Sequence, residues 1–260
     1  VQEAIRMFRN CNSLKTLRLS NKIKKLPEGI FSYLKISSIN IPSDVEEIPG
    51  YCFDSCSNLT SVTIPAKVKK IGDYAFCNCE KLKTVTINSK LEEIGKGAFV
   101  RCGFTTIKLP NTLSVIGGTA FYESKLKEIE IPAGVKYIEA ETFWACKDLS
   151  NVTINEGMIG IKSKAFGNCE SLKKIHIPNS MKTVNIYMFS GSNVEVTVSC
   201  NFQSFKKVNG VSKLIFVHEY DHASDTTCNR CGAVREIHLV TMDQFVERLY
   251  TTCLGRKSEA

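Results

Sequence analysis

The chain has no apolar run long enough to cross a bilayer, so no segment is expected to span a membrane. It has no glycine-rich phosphate loop. Histidine is scarce, four in 260 residues, and His176 alone lies outside a short segment near the C-terminus. Carboxylate pairs suited to acid and base work are missing apart from Glu128 and Glu130. Those two flank Ile129 on one strand face, which permits such chemistry, but nothing identifies a pocket around them, and the chain reads as a non-enzyme. A basic, apolar leader is also absent. The chain opens on Val1 within an unfinished coil and is expected to be an excised fragment, its start silent on secretion.

What the sequence does contain is a period. Phe8, Phe31, Phe53, Phe76, Phe99, Phe121, Phe143, Phe166 and Phe189 recur at gaps of 22 or 23 residues. From Phe76 the unit reads F-x-x-C-x-x-L-x-x-V-x-I-x-x-x-L-x-x-I-G, through Cys79, Leu82, Val85, Ile87, Leu91, Ile94 and Gly95. Shorter units lose one residue between the Cys position and the next apolar one, as in Phe99, Cys102, Phe104, Ile107, Leu109, Leu113 and Ile116. The V-x-I core has the alternation of a strand with one face buried, about four residues per coil. Pro42, Pro65, Pro110, Pro132 and Pro178 end five of these strands. The spacing predicts stacked coils with a parallel sheet at roughly 4.8 Å per coil, about nine coils spanning on the order of 40 Å. The segment around each Phe, such as 73–79, is expected to form a turn or short helix on the opposite face.

The pattern A-F-x-x-C-x-x-L-x-x-V-x-I-P-x-x-V-x-x-I-G resembles the BspA-type leucine-rich repeats, over about residues 3 to 200. The resemblance implies a leucine-rich-repeat β-solenoid. It also implies a secreted or cell-surface protein of a host-associated bacterium, engaged in adhesion to host proteins or other cells.

Six of the twelve cysteines, Cys11, Cys56, Cys79, Cys102, Cys146 and Cys169, fall three residues after a Phe, where Leu34, Ser124 and Ser192 stand in other coils. A site that accepts Cys, Leu and Ser wants a small buried side chain, so a reduced ladder is expected. Charge follows the period too. Lys24-Lys25, Glu46-Glu47, Lys69-Lys70 and Glu92-Glu93 alternate in sign over four successive coils, predicting coil-to-coil ion pairs. The net charge of +8 sits in the repeats, with 29 Lys and Arg against 19 acids up to residue 217. It is dispersed there, and the aromatic ladder is a buried one, so nucleic acid is not the expected partner.

On the concave sheet the outward residues form two columns. One reads Arg18, Asn40, Thr63, Thr86, Lys108, Glu130, Thr153 and His176. The other reads Thr16, Ser38, Ser61, Thr84, Thr106, Glu128, Asn151 and Lys174. Neither holds an aromatic anchor. The columns are the candidate surface for a protein or glycan ligand, with Lys108, Glu128, Glu130, Lys174 and His176 its charged cluster, and the chain is expected to be a monomer. A solvated, β-compatible face is the plain alternative.

The repeat decays after Ser199, and 212–217 reads as a closing strand, giving a solenoid over 1–217. Residues 218–240 then gather His218, His222, His238, Cys228 and Cys231, a set that would suit a structural zinc, with a disulfide or free thiols as alternatives for the C-x-x-C pair. This segment resembles a small H-x-Y-D-x-x-C-D-x-x-C-x-x-C-G module of Gram-positive surface proteins, with Ser224 in place of its first Cys. Thr241 and Gln244 make a capping box for a helix over 241–260. Its string F-V-E-R-L-Y-T-T-C-L-G-R is similar to the start of a helical domain of bacterial extracellular proteins.

Overall fold

A computed structural model describes Phe8, Cys11 and residues 13–87, 90–199 and 208–217. The zinc ligand set, the Cys/His module and the terminal helix expected after residue 217 lie outside the described residues.

The first half of the chain carries β1 (Thr16–Arg18), β2 (Ser38–Asn40), β3 (Glu47–Ile48), β4 (Ser61–Ile64), β5 (Lys70–Ile71), β6 (Thr84–Ile87), β7 (Glu93–Ile94) and β8 (Val115–Ile116). The second half carries β9 (Glu128–Ile131), β10 (Tyr137–Ile138), β11 (Asn151–Ile154), β12 (Gly160–Ile161), β13 (Lys174–His176), β14 (Thr183–Val184), β15 (Val194–Ser199) and β16 (Val211–Val217). Most coils contribute a wide strand and, after a turn, a two-residue strand, and these pair from coil to coil in parallel. The first has only the wide strand and the fifth only the narrow one. This is a leucine-rich-repeat solenoid of about eight described turns, one fewer than the nine phenylalanines suggest, because most residues beside Phe8 are not described.

The wide strands form because V-x-I buries alternate residues: β4, β9 and β11 each run exposed, buried, exposed, buried. The prolines that follow them open the turn to the narrow strands, their carbonyls accepting N–H bonds from the third residue on, as Pro65 from Val68 and Pro132 from Val135. The narrow strands place Ile48, Ile71, Ile94, Ile116, Ile138 and Ile161 in the core. Their outward residues carry the alternating charges: Glu47 stands in register with Lys70, and Lys69 reaches Glu92 and Lys70 reaches Glu93 at 3.1 Å. All four of these paired side chains are well exposed, so each pair contributes only some tenths of a kcal/mol and chiefly favours the correct register.

The third side, around each Phe, holds turns; no helix occurs among the described residues. Its backbone reaches left-handed φ two residues before and two after the Phe, as at Tyr51 and Ser55, Tyr74 and Asn78, Glu141 and Ala145, Lys164 and Asn168. This alternation aims successive N–H groups at one neighbouring coil and the carbonyls at the other. Phe53 donates to Ala75 O at 2.7 Å, Phe76 to Ala98 O at 2.8 Å and Phe99 to Ala120 O at 2.8 Å. The residues two before and two after each Phe donate likewise, and this triple ladder continues without a break from the coil of Phe31 to that of Phe189. A left-handed non-glycine residue costs on the order of 1 kcal/mol. The ladder bonds and the rings beneath offset that cost.

Those rings are the spine of the core. Neighbouring Phe centroids are 5.1 Å apart at closest, between Phe53 and Phe76, and Phe121 and Phe143 lie within 1° of parallel. The cysteine ladder has a role that size alone does not supply. Cys56, Cys79, Cys102, Cys146 and Cys169 donate their thiols to the carbonyls of Phe31, Phe53, Phe76, Phe121 and Phe143, at 3.0 to 3.2 Å. Ser192 gives Phe166 O the same bond at 2.8 Å. Six coils thus place a small donor here, while Leu34 fills the position by volume alone. Cys11, expected in the buried ladder, is exposed in the first coil, and the described cysteines are free thiols. Burial pushes Cys56 and Cys146 up to about 12 and Cys79 and Cys102 well above the ordinary thiol value, so these groups stay protonated at neutral pH, poor nucleophiles and poor ligands.

Candidate recognition face

With two sides and the interior occupied by stacking, the outward side of the wide strands is what remains. The register builds the columns as the alternation requires: Arg18 faces Asn40, Thr63 faces Thr86, Glu130 faces Thr153, and in the second column Ser61 faces Thr84 and Glu128 faces Asn151. The column from Arg18 to His176 is exposed throughout, as are Ser38, Ser61, Thr84, Thr106, Glu128, Asn151 and Lys174. β15 extends both columns, with Glu195 beside Lys174 and Thr197 beside His176.

The sheet is not continuous. It divides into β1-β2-β4-β6, β9-β11 and β13-β15-β16. In the fifth coil residues 106–109 form no strand, and no main-chain hydrogen bond joins them to 84–87 or to 128–131 among the described residues. The last rung before the gap is Lys127 N–H to Thr105 O at 2.8 Å.

The cause lies just upstream. This coil is one residue short, and where its neighbours have Leu82 and Leu126 it has Phe104, whose ring packs edge-on against Phe99 at 5.6 Å and Phe121 at 6.4 Å. The coil of Phe121 is equally short but keeps Leu126, and its strand β9 is intact. Added bulk in a shortened coil, not shortening alone, displaces 106–109. Gly103 carries the chain through: a Cβ there would meet Glu80 O at 2.1 Å.

The gap opens a recess of about 530 Å³, floored by Ile107, Leu109 and Ile129 and rimmed by Lys108, Glu128 and Glu130, with Asn111, Asn151 and Thr153 at its margin. Of the charged cluster expected from sequence, Lys108, Glu128 and Glu130 come together here. Lys174 and His176 lie on β13, outside the recess, and Lys174 pairs with Glu195 at 3.5 Å. Glu130 accepts a hydrogen bond from Asn155 at 3.2 Å. No salt bridge engages Lys108, Glu128 or Glu130 among the described residues, although Lys108 and Glu130 occupy one column in adjacent coils. Elsewhere such neighbours pair, so the gap holds them apart.

The sheet columns hold no aromatic side chain. Exposed aromatics lie on the turn side, where Tyr33 is 66% and Tyr51 43% exposed, and Tyr51 stacks on Tyr74 at 5.2 Å. Their spacing of two residues from the Phe was the signal available. Among the described residues no group of three or more His, Cys, Asp or Glu side chains is placed to hold a metal ion, and no helix is long and apolar enough to cross a membrane.

Comparison with known proteins agrees with this architecture. A leucine-rich repeat protein of T. pallidum is 26% identical over 60% of this chain and 77% of its own, with a TM-score of 0.55. A leucine-rich repeat protein of Eubacterium ventriosum, 20% identical, covers 70% of this chain and 60% of its own at a TM-score of 0.51, a likeness of fold. No curated protein matches the chain. The BspA type leucine rich repeat region matches in six copies, over residues 4–105 and 69–195, and the chain belongs to that family.

Proposed function

We propose that the protein is a secreted or cell-surface recognition module that binds a host or microbial protein or glycan by multi-point contact across the wide sheet face. One observation carries the reading: the Phe column, the thiols, the glycines and most ion pairs serve stacking, whereas the two sheet columns take little part in it beyond the Lys174–Glu195 pair and include the recess at Lys108, Glu128 and Glu130. Repeat families build binding surfaces in this way, varying outward residues over a fixed core. The protein acts as a monomer and is not an enzyme. Nucleic acid is not its partner, since the sheet columns offer bases no aromatic platform. Residues 218–240 are read as a small Cys/His module and 241–260 as the start of a further domain.

Binding to arrayed matrix proteins and glycans tests this, comparing the chain with a Lys108→Glu, Glu128→Lys, Glu130→Lys variant. Charge reversal on a recognition face is expected to weaken the captured ligand by about tenfold or more, as displaced charge pairs do at interfaces. Equal binding by both forms would remove the sheet face from the account. The unbroken ladder on the turn side favours a second reading, a stiff spacer carrying another domain, for which neither form binds anything.

A further inference from the structure

Resting on the sheet face as the binding surface, we propose that the recess at the interrupted fifth coil receives an arginine side chain from an extended peptide segment of the partner. The recess is acidic within a basic protein: Glu128 and Glu130 face Lys108 across it, while the whole chain carries +8. Both carboxylates point outward from β9, two residues apart on one strand, and neither has a cationic partner among the described residues. Two outward residues of one strand stand roughly 7 Å apart. A guanidinium between them can donate to both, which the compact ammonium of lysine does less well.

The floor suits the rest of the side chain. Ile107, Leu109 and Ile129 present an apolar surface on which the three methylenes of an arginine can lie while its head stays at the rim. The volume of about 530 Å³ exceeds what one side chain fills, leaving room for flanking main chain, and residues 106–109 supply main-chain groups unpaired by the neighbouring strands. Those groups favour a ligand with its own donors and acceptors at peptide spacing. An anionic ligand would place its charge against two carboxylates.

Fluorescence anisotropy with labelled nonapeptides of alternating threonine and serine, carrying arginine, lysine, glutamate or threonine at the centre, tests the assignment. The arginine probe is expected to bind about tenfold tighter than the threonine probe, the range of one charge-assisted pair of hydrogen bonds. Glu128→Gln with Glu130→Gln should abolish that preference, and Asn151→Asp, adding a carboxylate at the margin, should raise it several-fold. An arginine probe no tighter than threonine, a glutamate probe that binds best, or a preference that survives in the Glu128→Gln, Glu130→Gln chain would overturn the proposal. If the array yields a ligand lost on charge reversal while arginine shows no preference, the face is used and this occupant is wrong. If neither experiment shows binding, both readings fall.

Discussion

Replacing Phe99 by alanine is expected to cost about 4 kcal/mol of stability, toward the upper range for core truncations. The ring is fully buried and touches three others, stacking on Phe76 at 5.5 Å and Phe121 at 5.7 Å and meeting Phe104 edge-on at 5.6 Å. Its neighbours cannot collapse into the void, because their backbones are fixed to the following coils by the ladder on the turn side, Phe76 through Ala98 O and Phe121 through Thr142 O. In a linear stack each coil contacts only its neighbours, so a weak central interface also divides the cooperative unit. Urea denaturation should therefore show the single transition of the parent chain replaced by two. A loss below about 1 kcal/mol with the transition still single would mean the Phe column is not the spine of the core.

Gly95→Ala is expected to cost roughly 2–3 kcal/mol although it adds one methyl group. Gly95 does not require a left-handed backbone; it requires space. An added Cβ would lie 2.7 Å from Asp73 N and 2.8 Å from Gly72 C, main-chain atoms of the previous coil that side-chain rotation cannot move. Asp73 is itself held, its Oδ1 accepting Lys96 N–H at 2.8 Å. Gly72 and Gly117 are equally crowded by main chain, so in these three coils the narrow-strand turns approach too closely for a side chain, whereas Glu139 and Lys162 hold the position in later coils. Gly118→Ala is the comparison, since its nearest atom is Ala140 O at 3.1 Å, and its cost should stay below about 1 kcal/mol. Equal thermal melts for both variants would contradict the crowding at Gly95.

These residues show which parts of the fold were legible. The Phe period and the V-x-I alternation gave the coil, the parallel sheet and the columns, because spacing alone decides which side chains face inward. Gly95 was visible as a turn position, but its reason is contact between coils that no single unit contains. The Cys position was legible as small and buried, whereas its donor role emerges only with the Phe carbonyls of the preceding coil in place. The break at 106–109 was hidden for a related cause. Ile107 and Leu109 satisfy the strand pattern as well as Val85 and Ile87 do, and the disruption comes from Phe104 competing for volume inside a short coil. Local pattern fixes direction; packing decides whether the rung closes. At the site, Lys108, Glu128 and Glu130 share the recess while Lys174 is taken up by Glu195, a division that column position alone does not reveal.

Among the described residues a continuous turn-side spine stands opposite a sheet face that is broken at the fifth coil and again between β11 and β13. Amide hydrogen exchange resolved by residue tests this arrangement most directly, because protection follows hydrogen bonding. Phe76, Phe99 and Phe121 amides should exchange slowly and alike, as should Val62 and Ile129, which face the next strand in the intact pairs β4-β6 and β9-β11, with Ile107, Lys108 and Leu109 faster by orders of magnitude. Protection at residues 107–109 equal to that at Val62 and Ile129 would show a closed sheet and remove the recess on which the recognition reading stands.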